Sequence, residues 1–190
     1  MNPMHMCRLE GTYRAIGAEY GMLLRANRVP VPPLSATRRR FTEACEVHVR
    51  EHAPELLDEI EGLAEGSGYD VERLKAVALV MNARPACSMV AVSGQHTADA
   101  KPLIGRNHDW FYAAIYAVAL CETHPRGALA SIGVNDAYVG RMDGINAAGL
   151  GIGITAVMGG RDHPGIMFNI AVRIVLDRCR TTAEAVEFLQ

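Results

Sequence analysis

The chain has 190 residues, 49% hydrophobic and 21% charged, which suits one soluble globular domain with a substantial core. Its 19 Lys and Arg against 21 Asp and Glu leave a formal net charge of −2, so no excess of either sign calls for a nucleic-acid or anionic-membrane partner, and a small or neutral substrate fits better. The opening MNPMHMCRLEG lacks the basic-then-apolar pattern of a secretory signal, no apolar run reaches the ~18 residues of a membrane span, and the five cysteines (Cys7, Cys45, Cys87, Cys121, Cys179) include no CxxC. The chain therefore reads as cytoplasmic, with separate thiols rather than a disulfide framework or a Cys-type zinc site.

Residues 10–83 read as helical almost throughout. Helix spacing over 11–27 places Ile16, Tyr20, Leu23 and Leu24 together, and the helix-weakening glycines Gly11, Gly17 and Gly21 mark close packing. The prolines of VPVPPLS, 29–35, make a connector. A second helix starts near Ser35 or Thr37 and runs to about Ala53; Pro54 opens a third through Leu63; Gly66 and Gly68 break it. Asp70 caps a fourth from Val71 to about Asn82, and Pro85 stops it. The basic cluster Arg38, Arg39 and Arg40 reads as a solvated face.

After Cys87 the pattern becomes strand-like: 89–92, 102–105, 116–123, 128–134 and 137–145, separated by Gly, Pro, Asn or Asp. NAAG at 146–149 turns a hairpin into 150–158, and Gly159 and Gly160 end the sheet. Helix resumes from about 164 or 165 to 180, and Thr181 with Glu184 makes a capping box for a last helix. A run of helices followed by a run of strands is the order of an α+β fold.

Three constellations could carry chemistry. GLGIG at 149–153 lacks the third glycine, the helix start and the ribose-binding acid of a dinucleotide site, and reads as a small-residue strand that permits close packing. HVREH, 48–52, matches the H-x-x-E-H spacing of inverted zinc proteases. No third ligand accompanies His48 and His52, and with Phe41 and Cys45 they form the stripe of an ordinary amphipathic helix.

The third is Cys87 with Arg106 and Asp109. Taken singly, such a Cys is an inert small hydrophobe and such an Arg and Asp a surface pair. Together they suggest a nucleophile with two attendants, because Cys87 stands where a helical region ends in Pro-Ala-Cys-Ser and strands begin. That is the form of a removable pro-segment ahead of a new N-terminus.

At these residues the chain resembles the cysteine-type N-terminal-nucleophile hydrolases related to penicillin (isopenicillin N) acyltransferase and, more distantly, choloylglycine hydrolase. LEGTYRAIGAEYGMLLR is similar to the family's opening glycine-punctuated helix, and DEIEGLAEGSGYDVERLKAVALVMN to the helix pair that leads to its nucleophile. ACS is similar to the start of the mature chain, GRNHDW to the G-x-N-x-D-[WF] strand end, and GINAAGLGIG to the G-x-N-x-x-G-L hairpin. The resemblance implies part of an αββα sandwich of antiparallel sheets, with residues 1–86 as a helical pro-segment and 87–190 as the N-terminal part of the catalytic domain.

It further implies a zymogen that cleaves itself between Ala86 and Cys87 through an N-to-S acyl shift and then acts on linear amides through a thioester on Cys87. The freed α-amino group serves as general base, Asp109 orients it, and Arg106 favours the thiolate. Thr155 takes the hairpin position where the family often has an Asn whose backbone amide helps form the oxyanion hole. The second donor comes from a later segment than any present, so these residues are expected to be part of a longer protein, or impaired if they are all of it. No cofactor is implied. The expected partners are a small-molecule amide and, for acyl transfer, an acyl-donor thioester, with homo-oligomerisation left open. Penicillin precursors, N-acyl amino acids and bile-salt-like conjugates all fall within the resemblance. Two other readings stand beside this one: a catalytically incompetent fragment or degenerate binding homologue, and a zinc hydrolase using His48 and His52.

Overall fold

A computed structural model describes residues 5–80, 86–109, 118–136, 138–155 and 163–190. Its upstream helices form where the caps require. α1 (Tyr13–Ala26) starts at Thr12, whose hydroxyl accepts from the Ala15 amide, and α2 (Ala36–His52) starts at Ser35. α3 (Pro54–Ser67) begins with proline and ends at the left-handed Gly68, while Asp70 caps α4 (Val71–Leu79). The expected end of α4 near Asn82 lies outside the described residues.

The upstream glycines mark close packing, as their spacing suggests. A Cβ on Gly17 would sit 2.0 Å from the Glu59 carbonyl oxygen, and one on Gly62 2.0 Å from that of Arg14. α1 and α3 therefore cross with their backbones in contact, a geometry that any larger residue would push apart.

Before α1 lies a strand, β1 (His5–Gly11), where the sequence reading expected none. Its period-2 signal is present: Leu9 is buried and Cys7 half-buried, whereas Met6, Arg8 and Glu10 are exposed. β1 pairs in parallel with β4 (Ala119–Pro125), setting Cys7 opposite Cys121 with the sulfurs 2.6 Å apart. β4 continues antiparallel through β5 (Ser131–Asn135), β6 (Asp143–Asn146) and β7 (Gly151–Gly153) in a five-stranded sheet ordered β1-β4-β5-β6-β7. β2 (Ala86–Val92) and β3 (Leu103–Asp109) form a separate antiparallel pair.

Several strand expectations shorten. Of the run expected over 137–145, residue 137 lies outside the described residues and the rest is a strand only from Asp143, because the chain bends through Gly140 (φ 107°), where a Cβ would collide with Asn169. The run expected over 150–158 is a strand only over Gly151–Gly153, and 156–158 lie outside the described residues. Residues 116 and 117 of another expected strand also lie outside them. α5 is Phe168–Arg178, and α6 (Thr182–Leu189) starts at Thr181, whose hydroxyl accepts from the Glu184 amide.

The two faces of the large sheet are covered differently. Leu176 of α5 lies against Gly144, and Asn146 donates to the Leu176 and Cys179 carbonyls, so α5 covers the face of Gly144 and Asn146. The opposite face, at Gly151 and Gly153, meets Ile104 of β3 and Met89 of β2. The described residues thus stack as helices, a five-stranded sheet and a two-stranded ladder, a mixed α and β architecture rich in antiparallel pairs.

One hydrophobic core joins both halves of the chain. Ile16, Tyr20, Leu56, Ile60, Leu63 and Leu74 pack in the same cluster as Ala119, Cys121, Val139, Ile170 and Ile174. Beside it Arg173, wholly buried, binds Glu59 of α3 at 3.0 Å and Asp177 at 2.9 Å, and Tyr13 of α1 donates to Asp177. Burial works against the Arg173 cation, but the two carboxylates outweigh it and hold the guanidinium charged. No helix among the described residues is long and apolar enough to cross a membrane.

Arg38 corrects the reading of its cluster as solvated. It is half-buried and donates to the Ala76 and Val80 carbonyls at the end of α4, where a cation meets the negative end of the helix dipole. Arg39 pairs at the surface with Glu72.

Candidate active site

The two-stranded ladder carries the site. Its register sets Ala86 opposite Asp109, Cys87 opposite His108, Ser88 opposite Asn107 and Met89 opposite Arg106. Because side chains alternate along a strand and directly opposed residues share a face, Cys87, Met89, Arg106 and His108 point to one side and Ser88, Asn107 and Asp109 to the other. The first side is the one turned to the five-stranded sheet: Arg106 and His108 are half-buried, Asn107 and Asp109 exposed.

Arg106 is the centre of this face. Its side chain is 5% exposed and all three guanidinium nitrogens are engaged: Nη2 donates to Cys87 Sγ at 3.3 Å, Nη1 to Asp143 Oδ2 at 2.8 Å and Nε to the Ile154 carbonyl at 2.8 Å. Asp143 is held in turn, its Oδ1 accepting from the Val134 amide at 3.1 Å. A guanidinium oriented from two sides presents its third edge to sulfur at little further entropic cost. Glycine makes the approach possible. A Cβ on Gly153 would sit 3.0 Å from Met89 Sδ and 3.7 Å from Arg106 Cδ, and one on Gly151 3.3 Å from Ile104 Cδ1. The alternating glycines of GLGIG are thus a window through which the ladder meets the sheet.

Next to Arg106 lies a cleft of about 460 Å³ between ladder and sheet, with Ile104, Leu120, Ile132, Ile145 and Ile152 on its walls and Asp143 and Arg106 at its polar end. Past the cluster, Asp136 has a fully buried side chain with His108 Nε2 3.3 Å from its Oδ2. Burial pushes the Asp136 carboxyl up to about 6, against the pull of Arg106. Burial, helped by the Arg106 charge, holds the His108 imidazole below its ordinary value.

Of the residues singled out from sequence, the structure brings Cys87 and Arg106 together. Asp109 is on the opposite face, where its carboxylate accepts from Asn107 Nδ2 at 2.7 Å, although its backbone is registered with Ala86 beside the Ala86–Cys87 bond. Thr155 is exposed and follows Ile154, the residue whose carbonyl anchors Arg106. His48 and His52 lie on α2, whose buried positions are Thr42, Cys45 and Val49; His52 is exposed, and no group of three or more metal-ligating side chains occurs among the described residues. Sequence reasoning missed Asp143, His108 and Asp136. His108 stands inside GRNHDW and Asp143 just ahead of GINAAGLGIG, but only the register sets His108 on the face of Cys87, and only the packing of ladder on sheet brings Asp143 to Arg106 there.

A family model described as acyl-coenzyme A:6-aminopenicillanic acid acyl-transferase matches residues 96–190, half of the chain. The matched segment begins after Cys87 and contains Arg106, His108, Asp109, Asp136, Asp143 and Thr155. No curated protein matches the chain.

Proposed function

The chain belongs to the acyl-coenzyme A:6-aminopenicillanic acid acyl-transferase family, and from that premise we propose that it is a self-processing cysteine amidase or acyltransferase with Cys87 as nucleophile. The observation that carries the reading is the 3.3 Å contact between Arg106 Nη2 and Cys87 Sγ, made by a guanidinium locked on Asp143 and Ile154. It sets a positive charge where a negative sulfur forms during attack. In the intact chain Cys87 attacks the Ala86 carbonyl, the Ala86–Cys87 amide becomes a thioester, and water releases Ala86 as a carboxylate.

Cleavage turns the Cys87 amide nitrogen into an α-amine, a base whose reference pKa is about 7.7 to 8.0. Asp109, registered beside that nitrogen, is the carboxylate in place to orient it after a side-chain rotation away from Asn107. The mature enzyme then takes the acyl group of a linear amide onto Cys87 and passes it to water or to an amine. The apolar cleft ending at Arg106 fits the acyl portion, and the backbone at Thr155 is the nearest analogue of the family's oxyanion donor. In this scheme residues 1–86 are the pro-segment and 87–190 belong to the catalytic domain.

The test is the N-terminal residue and intact mass of the purified protein. Wild type is expected to contain a chain beginning at Cys87, and Cys87→Ala to remain whole. An uncleaved wild type whose amide-cleaving activity survives Cys87→Ala would overturn the proposal. A wild type that is uncleaved and inactive would identify a degenerate relative instead.

A further inference from the structure

Self-cleavage raises a difficulty that the mature mechanism does not answer. The base of the mature enzyme is the Cys87 α-amine, and in the intact chain that nitrogen is an amide, with no basic lone pair. Arg106 cannot serve, because a guanidinium does not accept a proton. Another group must receive the thiol proton before the first bond is cut.

The ladder offers one. His108 stands directly opposite Cys87 on the same face, a placement in which Cβ atoms lie about 4.5 to 5.5 Å apart, within imidazole reach of a thiol. On its far side, His108 Nε2 is 3.3 Å from Asp136 Oδ2. The Asp136 side chain is fully buried, so its carboxylate and the imidazole edge face each other out of water. From this cluster we infer that His108 is the proton acceptor for Cys87 during self-cleavage and Asp136 the positioning residue that holds its ring. The inference rests on the self-processing reading given above.

The step balances within the chain. A small turn of the imidazole brings Nε2–H onto Asp136 Oδ2, 3.3 Å away, and makes Nδ1 the ring's acceptor. The Cys87 thiol proton passes to Nδ1, the sulfur bonds to the Ala86 carbonyl carbon, and the Ala86–Cys87 C–N bond breaks. The proton on Nδ1 goes to the departing nitrogen, which becomes the α-amine, and water then hydrolyses the thioester to the Ala86 carboxylate and the Cys87 thiol. His108 is neutral at the outset because burial and the neighbouring Arg106 charge disfavour its cation, against the opposing charges of Asp143 and Asp109. Asp136, whose upward shift comes mainly from burial, faces the same cluster.

The experiment follows precursor loss by intact mass after a short pulse of cell-free synthesis, for wild type, His108→Gln, His108→Ala, Asp136→Asn and Cys87→Ala, between about pH 5 and pH 9. Wild-type cleavage is expected to rise through a midpoint below the ordinary histidine value of about 6.5 and level off near neutrality. His108→Gln is expected to cleave at least 10²-fold more slowly, the scale of a lost general base, with Asp136→Asn intermediate. Added imidazole should restore His108→Ala in part, which a merely structural role would not allow. The inference is overturned if His108→Gln matches wild type, or if the wild-type rate climbs without a break to the thiol range near about 8.5. If wild type does not cleave at all, the self-processing reading falls first, a separate outcome. Should the variants fail to fold, the wild-type pH profile alone decides.

Discussion

At the scale of single residues, the molecule concentrates its unusual chemistry around one guanidinium. Arg106 makes three directed contacts with three different partners, and lysine, a point charge on a flexible stem, cannot reproduce that fork. Arg106→Lys is therefore expected to slow both self-cleavage and turnover by about 10² to 10³, the range for losing one preorganised donor, while Arg106→Ala also strands Asp143 and lowers the melting temperature. Timed intact-mass analysis and thermal melting separate the two effects. Asp136 predicts the opposite sign for stability. Burial pushes its carboxyl from the ordinary 3.8 up to about 6, so the folded chain binds that proton more tightly than the unfolded one. The cost appears as pH rises from about 4 through 6 and is complete above it, on the order of 2 to 3 kcal/mol. In an uncleavable Cys87→Ala background, Asp136→Asn is expected to raise the melting temperature at pH 7.5 and to change it little at pH 4.

Glycine decides where the elements may touch. On α1 and α3 the positions of Gly17 and Gly62 leave no room for a Cβ, with backbone oxygens at 2.0 Å, so Gly62→Ala must separate the helices and is expected to cost about 3 kcal/mol, the upper end for overpacking. Gly127, at φ 85° with nothing within 4 Å, is the control: alanine there meets only the strain of left-handed backbone, about 1 to 2 kcal/mol. Denaturant unfolding of both variants in the Cys87→Ala background distinguishes contact from conformation. This is also where the sequence was most legible. Caps at Ser35, Asp70 and Thr181 and breaks at Pro54 and Gly68 set those helix ends within a few residues, while Gly66, also read as a break, lies inside α3. The site was half legible. Cys87 stands out by its place at the helix-to-strand boundary, and Arg106 and Asp109 by the resemblance of GRNHDW to the family's strand end, but strand register decides which side chains share a face, and register is a long-range property invisible to local pattern. Hence Asp109 turned out to face away from the Cys87 sulfur, while His108, a letter inside a recognised motif, lies across from it. β1 escaped for a different reason: its Cys7 and Leu9 alternation is too short to outweigh the helical run that follows.

For the whole molecule, what matters is how the residues before Cys87 are bound to those after it. They supply an edge strand to the large sheet, the α1 and α3 share of the common core, and Glu59 and Tyr13 of the buried cluster around Arg173. Breaking the Ala86–Cys87 bond removes none of these contacts. Releasing the first segment would expose Ala119, Cys121, Ile170 and Ile174 and leave Arg173 short of one of its two carboxylates, a buried charge whose loss of a partner typically costs about 3 to 5 kcal/mol. The cleaved protein is therefore expected to elute from a sizing column as one species containing both pieces, and to melt in a single transition. Glu59→Ala tests the reason. It removes the carboxylate that ties α3 to Arg173, so it should lower the melting temperature of cleaved protein and allow the pieces to part at a lower denaturant concentration than in wild type. Two pieces that separate on a native column without denaturant would show that the shared core does not outlast the cut. Co-elution would mean that cleavage changes the chemistry at Cys87, by making its amine, and leaves the architecture that holds Arg106 against the sulfur in place.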